Sequence, residues 1–397
     1  MSKLKFFSNI HSVENKRIIV RLDLNVPMEN SEIKDDTRIE VIKPLLDKLK
    51  DNGAKVILIS HLGRPKGEVS PNLSLKPIFD YFKRKCNYNI SFYQNKIDDE
   101  AVAFTKKLKS KDFVLFENIR FFKEEEANDE NFAKNLAKLG DLFINEAFSC
   151  SHRMQASIHK ITKFIDSYGG PLLEKELKSI DLLSKNKKKP VTCIIGGSKI
   201  STKINILTSL IKNSENLIVV GAMANNFIKF KNINVGKSLI ENGVEKILKN
   251  IIDLSERNNC KIIIPLDVNS STDLNGTPIR KDVHDIGSKE MILDIGEKTI
   301  GLINKIVDDS KTVFWNGPAG YYENENISEG TISIARKIAK NTKTKSLVSI
   351  IGGGDTLAAI KNTGLQNSFT HLSTAGGAFL ESLEGKELPG IKVLKKN

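Results

Sequence analysis

Arg21, Asp23 and Asn25 stand in the segment Arg21-Leu22-Asp23-Leu24-Asn25, at the exit of an apolar run. A guanidinium, a carboxylate and an amide at alternate positions can grip a small anionic ligand that carries hydroxyls. Near the other end of the chain, Gly352-Gly353-Gly354-Asp355-Thr356 offers a bare backbone turn closed by a carboxylate. Such a turn suits phosphate oxygens and a divalent cation. Both features in one chain imply two polyanionic ligands, held on separate surfaces and brought together.

Arginine is used sparingly. The chain has 61 basic residues, of which only ten are arginine, and seven of those precede residue 160. Arg21, Arg38, Arg64, Arg120 and Arg153 follow strand-like segments or sit in turn-rich stretches. A chain that otherwise chooses lysine needs arginine where a planar fork must hold carboxylate or phosphate through two hydrogen bonds. Any one of these could be a surface ion pair; the five together, with His61 and His152, form a basic pocket. So many cations need a small polyanion, such as a phosphorylated carboxylic acid, to offset their repulsion. Asp23 either orients an arginine or touches the ligand.

The second half offers anion-binding turns instead. Gly196-Gly197-Ser198-Lys199, Gly221, Asn316-Gly317-Pro318, Gly352 to Thr356 and Gly376-Gly377 each follow an apolar run. Backbone N–H groups of such turns bind phosphate without side chains. Lys203 is expected one turn beyond Lys199 on the same helix, and the i, i+4 spacing puts both ammonium groups on one face. Asp355 is a plausible Mg²⁺ partner for nucleotide phosphates. Gly236-Lys237-Ser238 ends like a phosphate-binding loop, but residue 231 is Lys and no apolar strand leads into it, so it is set aside. The first strand is followed by no GxGxxG, which weakens a dinucleotide dehydrogenase, and no GxSxG points to a hydrolase.

Short apolar runs alternate with helix-period stretches throughout. Strands are expected at 17–22, 55–60, 112–116 and 141–145, then at 191–195, 216–220, 261–265, 311–315, 346–351 and 369–373. Amphipathic segments such as 39–50 and 129–139 lie between them. That alternation predicts βαβ units, mainly parallel sheets and helices on both faces. Ten strands fit two sheets better than one. Gly169-Gly170-Pro171, a helix from Leu172 to Leu183 and the charged run Lys185 to Pro190 predict a connector between two domains. In open α/β sheets ligands bind beyond the carboxyl ends of the strands. The residues singled out above occupy that position.

Composition sets the outer bounds. A chain of 397 residues, 40% hydrophobic and 27% charged, predicts two or three globular domains. No run of 18 apolar residues occurs and the N-terminus does not read as a secretory signal. Cys86, Cys150, Cys193 and Cys260 lack metal-site or disulfide spacing, so a cytoplasmic protein is expected. The net charge of +13 is spread over lysines, without nucleic-acid-binding signatures.

These residues resemble one family closely, the phosphoglycerate kinases. The matching stretches are RLDLNVP (21–27), DDTRI (35–39), SHLGRPKG (60–67), LFENIRF (115–121), SHR (151–153), GGSKISTKI (196–204), VGKSLIE (235–241), LDIGEKT (293–299), VFWNGPAGYYE (313–323), IGGGDTLAAI (351–360) and LEGKELPG (383–390). They come in the family's order over nearly the full length.

The resemblance implies two Rossmann-like three-layer α/β/α domains joined by a hinge helix. Residues 1–170 plus about 380–397 would bind 3-phosphoglycerate, 171–188 would link, and 189–379 would bind nucleotide. The implied reaction is reversible phosphoryl transfer from 1,3-bisphosphoglycerate to ADP, giving 3-phosphoglycerate and ATP with Mg²⁺, in a cytoplasmic monomer. Asp23, Asn25, Arg38, His61, Arg64, Arg120 and Arg153 would bind the glycerate, with Arg21 and His152 completing the basic patch. Gly197, Lys199, Lys203, Gly221, Asn316, Glu323 and Gly352, Gly353, Gly354, Asp355 and Thr356 would hold the nucleotide, Glu323 at the ribose and Asp355 helping to position Mg²⁺. Arg38, Lys199, Lys203 and the backbone at Gly376 would act on the transferring group. The chain departs from the family pattern at Glu146, Gln155, Ser198, Ala222 and Ala375, which bears on affinity more than on activity. A dinucleotide enzyme, a basic nucleic-acid binder, or another nucleotide-binding α/β protein acting on a small phosphorylated acid are the rival readings.

Overall fold

The computed structural model describes residues 4–324 and 327–395. Its contacts divide the chain into two units, one of Met1–Leu177 with Glu387–Asn397 and one of Lys178–Lys386. The division falls inside the helix Pro171–Ser184.

The first unit is built on continuous apolar strands, which is the pattern of a parallel sheet covered on both faces. Its strands are β1 (Arg17–Arg21), β4 (Lys55–Ile59), β5 (Ile90–Tyr93), β6 (Phe113–Phe116), β7 (Leu142–Asn145) and β8 (Ser167–Gly169), in the order β5-β6-β4-β1-β7-β8. Every pairing in it is parallel. β2 (Met28–Glu29) and β3 (Glu32–Ile33) form a separate antiparallel ribbon. Alternate residues of β1 feed opposite cores. Ile18 and Val20 pack with Leu45, Leu46 and Leu49 of the helix Lys43–Asp51, whereas Ile19 packs with Phe132 and Leu136 of the helix Glu130–Lys138. β1 is flanked by β4 and β7, so its carboxyl end is the switch point of the sheet.

The second unit repeats the plan with β9 (Val191–Ile195), β10 (Asn216–Val219), β11 (Lys261–Ile263), β15 (Thr312–Asn316), β16 (Val348–Gly352) and β17 (His371–Ser373), in the order β11-β10-β9-β15-β16-β17. All these pairings are parallel. Ile194, Val313, Trp315 and Ile351 meet Ile334, Ala335 and Ile338 of the helix Glu329–Lys345 in one core. β12 (Asp267–Ser271), β13 (Ile279–Asp282) and β14 (Met291–Ile295) add a small antiparallel sheet that the sequence reading did not anticipate.

All ten expected strands are present, and β5 and β8 extend the first sheet beyond them. The return of the chain to the first unit begins at Glu387 rather than near residue 380, because the helix Gly377–Leu383 stays with the second unit, where Ser209 Oγ donates to Leu383 O at 2.5 Å. The returning tail is tied down by Gly390 N–H to Ser151 O (2.9 Å) and Lys5 N–H to Leu394 O (3.1 Å). Among the described residues no helix is long and apolar enough to cross a membrane.

Candidate active site

In the first unit the basic residues gather at the carboxyl edge of the sheet because parallel register ends the strands together. Arg21 pairs with Ile59 and with Asn145 across its two neighbours, so Asp23, His61 and Glu146 emerge side by side. Ser60 fastens the first two loops: its hydroxyl donates to Leu22 O (2.8 Å) and accepts from Leu24 N–H (2.9 Å). Asn25 Oδ1 accepts from Gly63 N–H at 2.8 Å, which holds the loop that carries exposed Arg64. Arg120 Nη1 donates to Gly63 O at 2.8 Å from the other side.

Asp23 accepts from Arg38, which lies on the short helix Thr37–Glu40, and from the hydroxyl of Ser149. Burial alone would raise its carboxyl pKa, but the charge of Arg38, with hydrogen bonds from Ser149 and from Asn25 N–H, outweighs it and holds the group below the usual range. Asp23 therefore positions Arg38, one of the two roles open from sequence. His61 is 4% exposed, and burial with the adjacent Arg21 drives its pKa well below 6.5, so the imidazole is neutral. Arg153 and His152 share a turn, with Arg153 Nε donating to His152 Nε2 at 3.3 Å.

Arg21 departs from the sequence expectation. It is fully buried beneath the patch: Nε donates to Ser157 Oγ (2.9 Å), Nη1 to Leu22 O, and Nη2 lies 3.4 Å from His61 Nδ1. Ser157 in turn donates to Glu125, through N–H (2.8 Å) and Oγ (2.5 Å). Glu125 is also fully buried, and its carboxyl is pushed up by burial while Arg21 and Ser157 pull against that. This Arg21–Ser157–Glu125 chain underlies the patch, and no sequence spacing signals it. Arg120 has a different environment. It is 3% exposed, its Nε has no hydrogen-bond partner, and burial with the nearby Arg21 lowers its pKa. A guanidinium held without full compensation is a receptor for an anion.

In the second unit the glycine turns close on one another at the β9/β15 switch point. Gly196 N–H donates to Asn316 O (2.8 Å) and Gly221 N–H to Ala319 O (2.9 Å). A Cβ on Gly196 would stand 2.3 Å from Pro318 O, and one on Gly317 would stand 2.5 Å from the backbone of Gly196. Lys203 Nζ donates to Gly196 O (2.8 Å) and Asn316 Oδ1 (3.1 Å), while burial lowers its pKa against the pull of Asp355.

Two expectations need correction. Lys199 and Lys203 do not share a helix: Lys199 is exposed in a loop, Lys203 closes a 3-10 turn (Ser201–Lys203), and the α-helix begins only at Ile204. Thr356 is fully buried, and its hydroxyl accepts from Gly317 N–H at 2.7 Å, so it braces the turn. The triplet itself opens outward. β16 ends at Gly352, Gly353 has φ +96°, and the helix Gly354–Lys361 starts with exposed Gly354 and Asp355. A Cβ on Gly354 or Gly376 would meet nothing within 4 Å. Glu323 is exposed. Gly236-Lys237-Ser238 is structural, since Lys237 N–H donates to Glu290 O at 2.7 Å and Ser238 Oγ accepts from Ile292 N–H at 2.8 Å.

Known proteins carry the same plan from end to end. The family model described as phosphoglycerate kinase matches residues 8–386. The chain belongs to the phosphoglycerate kinase family. It is 43% identical to a phosphoglycerate kinase of Wolbachia pipientis wMel over 98% of this chain and 99% of that one. A phosphoglycerate kinase of Brucella melitensis is 42% identical, with coverage of 97% and 98%. Among solved structures, phosphoglycerate kinase from Coxiella burnetii superposes with a TM-score of 0.88 at 36% identity, covering 99% of each chain. That from Pyrococcus horikoshii OT3 gives 0.86 at 26% identity, covering 98% of each.

Family membership makes the protein a kinase of glycolysis that transfers phosphate to or from 3-phosphoglycerate.

Proposed function

We propose that the first unit binds 3-phosphoglycerate or 1,3-bisphosphoglycerate and the second binds ADP or ATP, with transfer occurring when the two are brought into line. The observation that carries this reading is Arg120, a nearly buried guanidinium whose Nε has no hydrogen bond and only a 3.9 Å ion pair to Glu126, in the same unit as Arg38 held by Asp23. Asn25, His61, Arg64, His152 and Arg153 complete the glycerate surface. Neutral His61 acts as a hydrogen-bonding group and adds no charge to the crowd of guanidiniums.

On the nucleotide side, Gly197, Gly221 and the N–H groups of Gly353 and Gly354 approach phosphate oxygens where no Cβ intrudes. Glu323 takes the ribose hydroxyls. Asp355 fits a Mg²⁺ that travels with the nucleotide, because one exposed carboxylate plus substrate phosphates is the usual way this ion is held. When bound, Mg²⁺ neutralises and orients phosphate oxygens. Transfer needs alignment and charge neutralisation rather than a general base, since the acceptor oxygen is already ionised. Arg38, Lys199, Lys203 and the backbone at Gly376 surround the moving group. We place the hinge in the helix Pro171–Ser184, whose bending closes the cleft and excludes water from the acyl phosphate. A cytoplasmic monomer is the setting this reading assumes.

A coupled assay with ATP, Mg²⁺ and 3-phosphoglycerate tests the assignment on Arg38→Ala. Turnover should drop by orders of magnitude with circular dichroism and melting unchanged. Unaltered turnover would remove Arg38 from the site.

A further inference from the structure

Cys150 takes no part in the proposed reaction, yet its thiol is 4% exposed and faces two metal-binding groups. Its Sγ lies 3.9 Å from His61 Nδ1, and one ligand atom each from Cys150, His61 and Asp23 all fall within 4.8 Å of one another. They come from three separate segments: the loop after β1, the loop after β4 and the 3-10 turn Phe148–Cys150 after β7. Among the described residues this is the single such grouping of three histidine, cysteine or acidic ligands.

We propose that Cys150, His61 and Asp23 form an inhibitory site for a thiophilic divalent cation of the Zn²⁺ or Cd²⁺ class, separate from the Mg²⁺ of the nucleotide. Thiolate, imidazole and carboxylate make a mixed tetrahedral set, with a water or the Ser149 hydroxyl as fourth ligand. Thiolate selects such ions over Mg²⁺, which prefers oxygen. Bond lengths of about 2.0–2.3 Å put tetrahedral ligands roughly 3.5 Å apart, so separations within the trio need contract by no more than about 1.3 Å. His61 Nδ1 lies 3.4 Å from Arg21 Nη2, a long contact that a metal–nitrogen bond replaces. The Cys150 proton leaves to solvent as the metal–sulfur bond forms. Because the bound ligand is the thiolate, affinity climbs with pH.

Arg21, Arg38 and Arg120 oppose a cation here, which makes the site weaker than a dedicated structural zinc centre. Binding also withdraws Asp23 from Arg38, and inhibition follows from that. The inhibition rests on the role given to Arg38 above; the coordination does not.

Titration of Mg²⁺-free protein with Cd²⁺, followed by the ultraviolet thiolate-to-metal absorption, tests coordination, and the coupled assay in parallel tests inhibition. One equivalent of Cd²⁺ should give the band and a chelator-reversible loss of activity. Cys150→Ser, or Cys150→Ala if the serine variant misfolds, should lose both responses while keeping its metal-free turnover, and Cys86→Ser should keep both responses. Absence of a band, a full band in the Cys150 variant, or a band with undiminished turnover would each overturn the proposal.

Discussion

Lys203 Nζ donates to Asn316 Oδ1 at 3.1 Å and to Gly196 O at 2.8 Å, so one ammonium group ties the exit of β15 to the exit of β9. Those two strands are neighbours, in register at Asn316 and Ile195, and the lysine spans the switch point where phosphate is proposed to lie. Both its partners are neutral oxygens, which leaves its charge available to a phosphoryl group.

Lys203→Met should therefore lower kcat by about 10²–10³-fold, the usual scale for loss of one preorganised electrostatic contact. Melting temperature should change by only a few degrees, since the methylene stem is kept. Steady-state kinetics alongside thermal unfolding gives both numbers.

Arg21 carries a structural expectation. Arg21→Met leaves buried Ser157 and Glu125 without the guanidinium that faces them, and a buried polar group stripped of its partner typically costs ~1–3 kcal/mol. Urea unfolding should show that loss. Pairing the change with Glu125→Gln should restore much of it, which a direct substrate-binding role for Arg21 would not produce.

Two glycines separate packing from ligand approach. Gly196→Ala forces a Cβ to 2.3 Å from Pro318 O, so a destabilisation of about 1–3 kcal/mol is expected. Gly354→Ala meets open space, so stability should hold while KM for ADP rises. Melting curves and nucleotide saturation curves on both variants distinguish the two.

Glu146 sets a pH dependence. Its carboxyl accepts Leu172 N–H (3.0 and 3.1 Å) at the start of the helix Pro171–Ser184, and burial pushes its pKa up to about 8. The folded value exceeds the unfolded one, so the stabilisation is complete below about pH 4.5 and is lost as pH rises through about 8. Asp294, raised to about 7 by burial, acts in the same direction. Wild-type stability should fall between about pH 4.5 and 8. Glu146→Gln should show a shallower fall, measured by denaturant unfolding across that range.

The sequence exposed this fold where the strands are covered on both faces, because runs such as Ile18-Ile19-Val20 leave no ambiguity about burial. It was silent on β12, β13 and β14, where Asn269, Ser270, Arg280 and Lys281 break the apolar pattern and one face is polar. β5 (Ile90-Ser91-Phe92-Tyr93) and β8 (Ser167-Tyr168-Gly169) were missed because neither carries a continuous aliphatic run. Arg38, Arg120 and the Gly353 turn were legible because arginine and glycine are costly where nothing requires them. The burial of Arg21 and Glu125, the bracing role of Thr356 and the loop between Lys199 and Lys203 depend on tertiary contacts, and no spacing rule reports those.

Separate ligand titrations on Arg38→Ala and Lys203→Met test the central claim most directly. Calorimetry with 3-phosphoglycerate alone, then with ADP and Mg²⁺ alone, reads each surface by itself. The two-surface account predicts that Arg38→Ala weakens only the glycerate isotherm and Lys203→Met only the nucleotide isotherm. Equal weakening of both ligands by either substitution would contradict it.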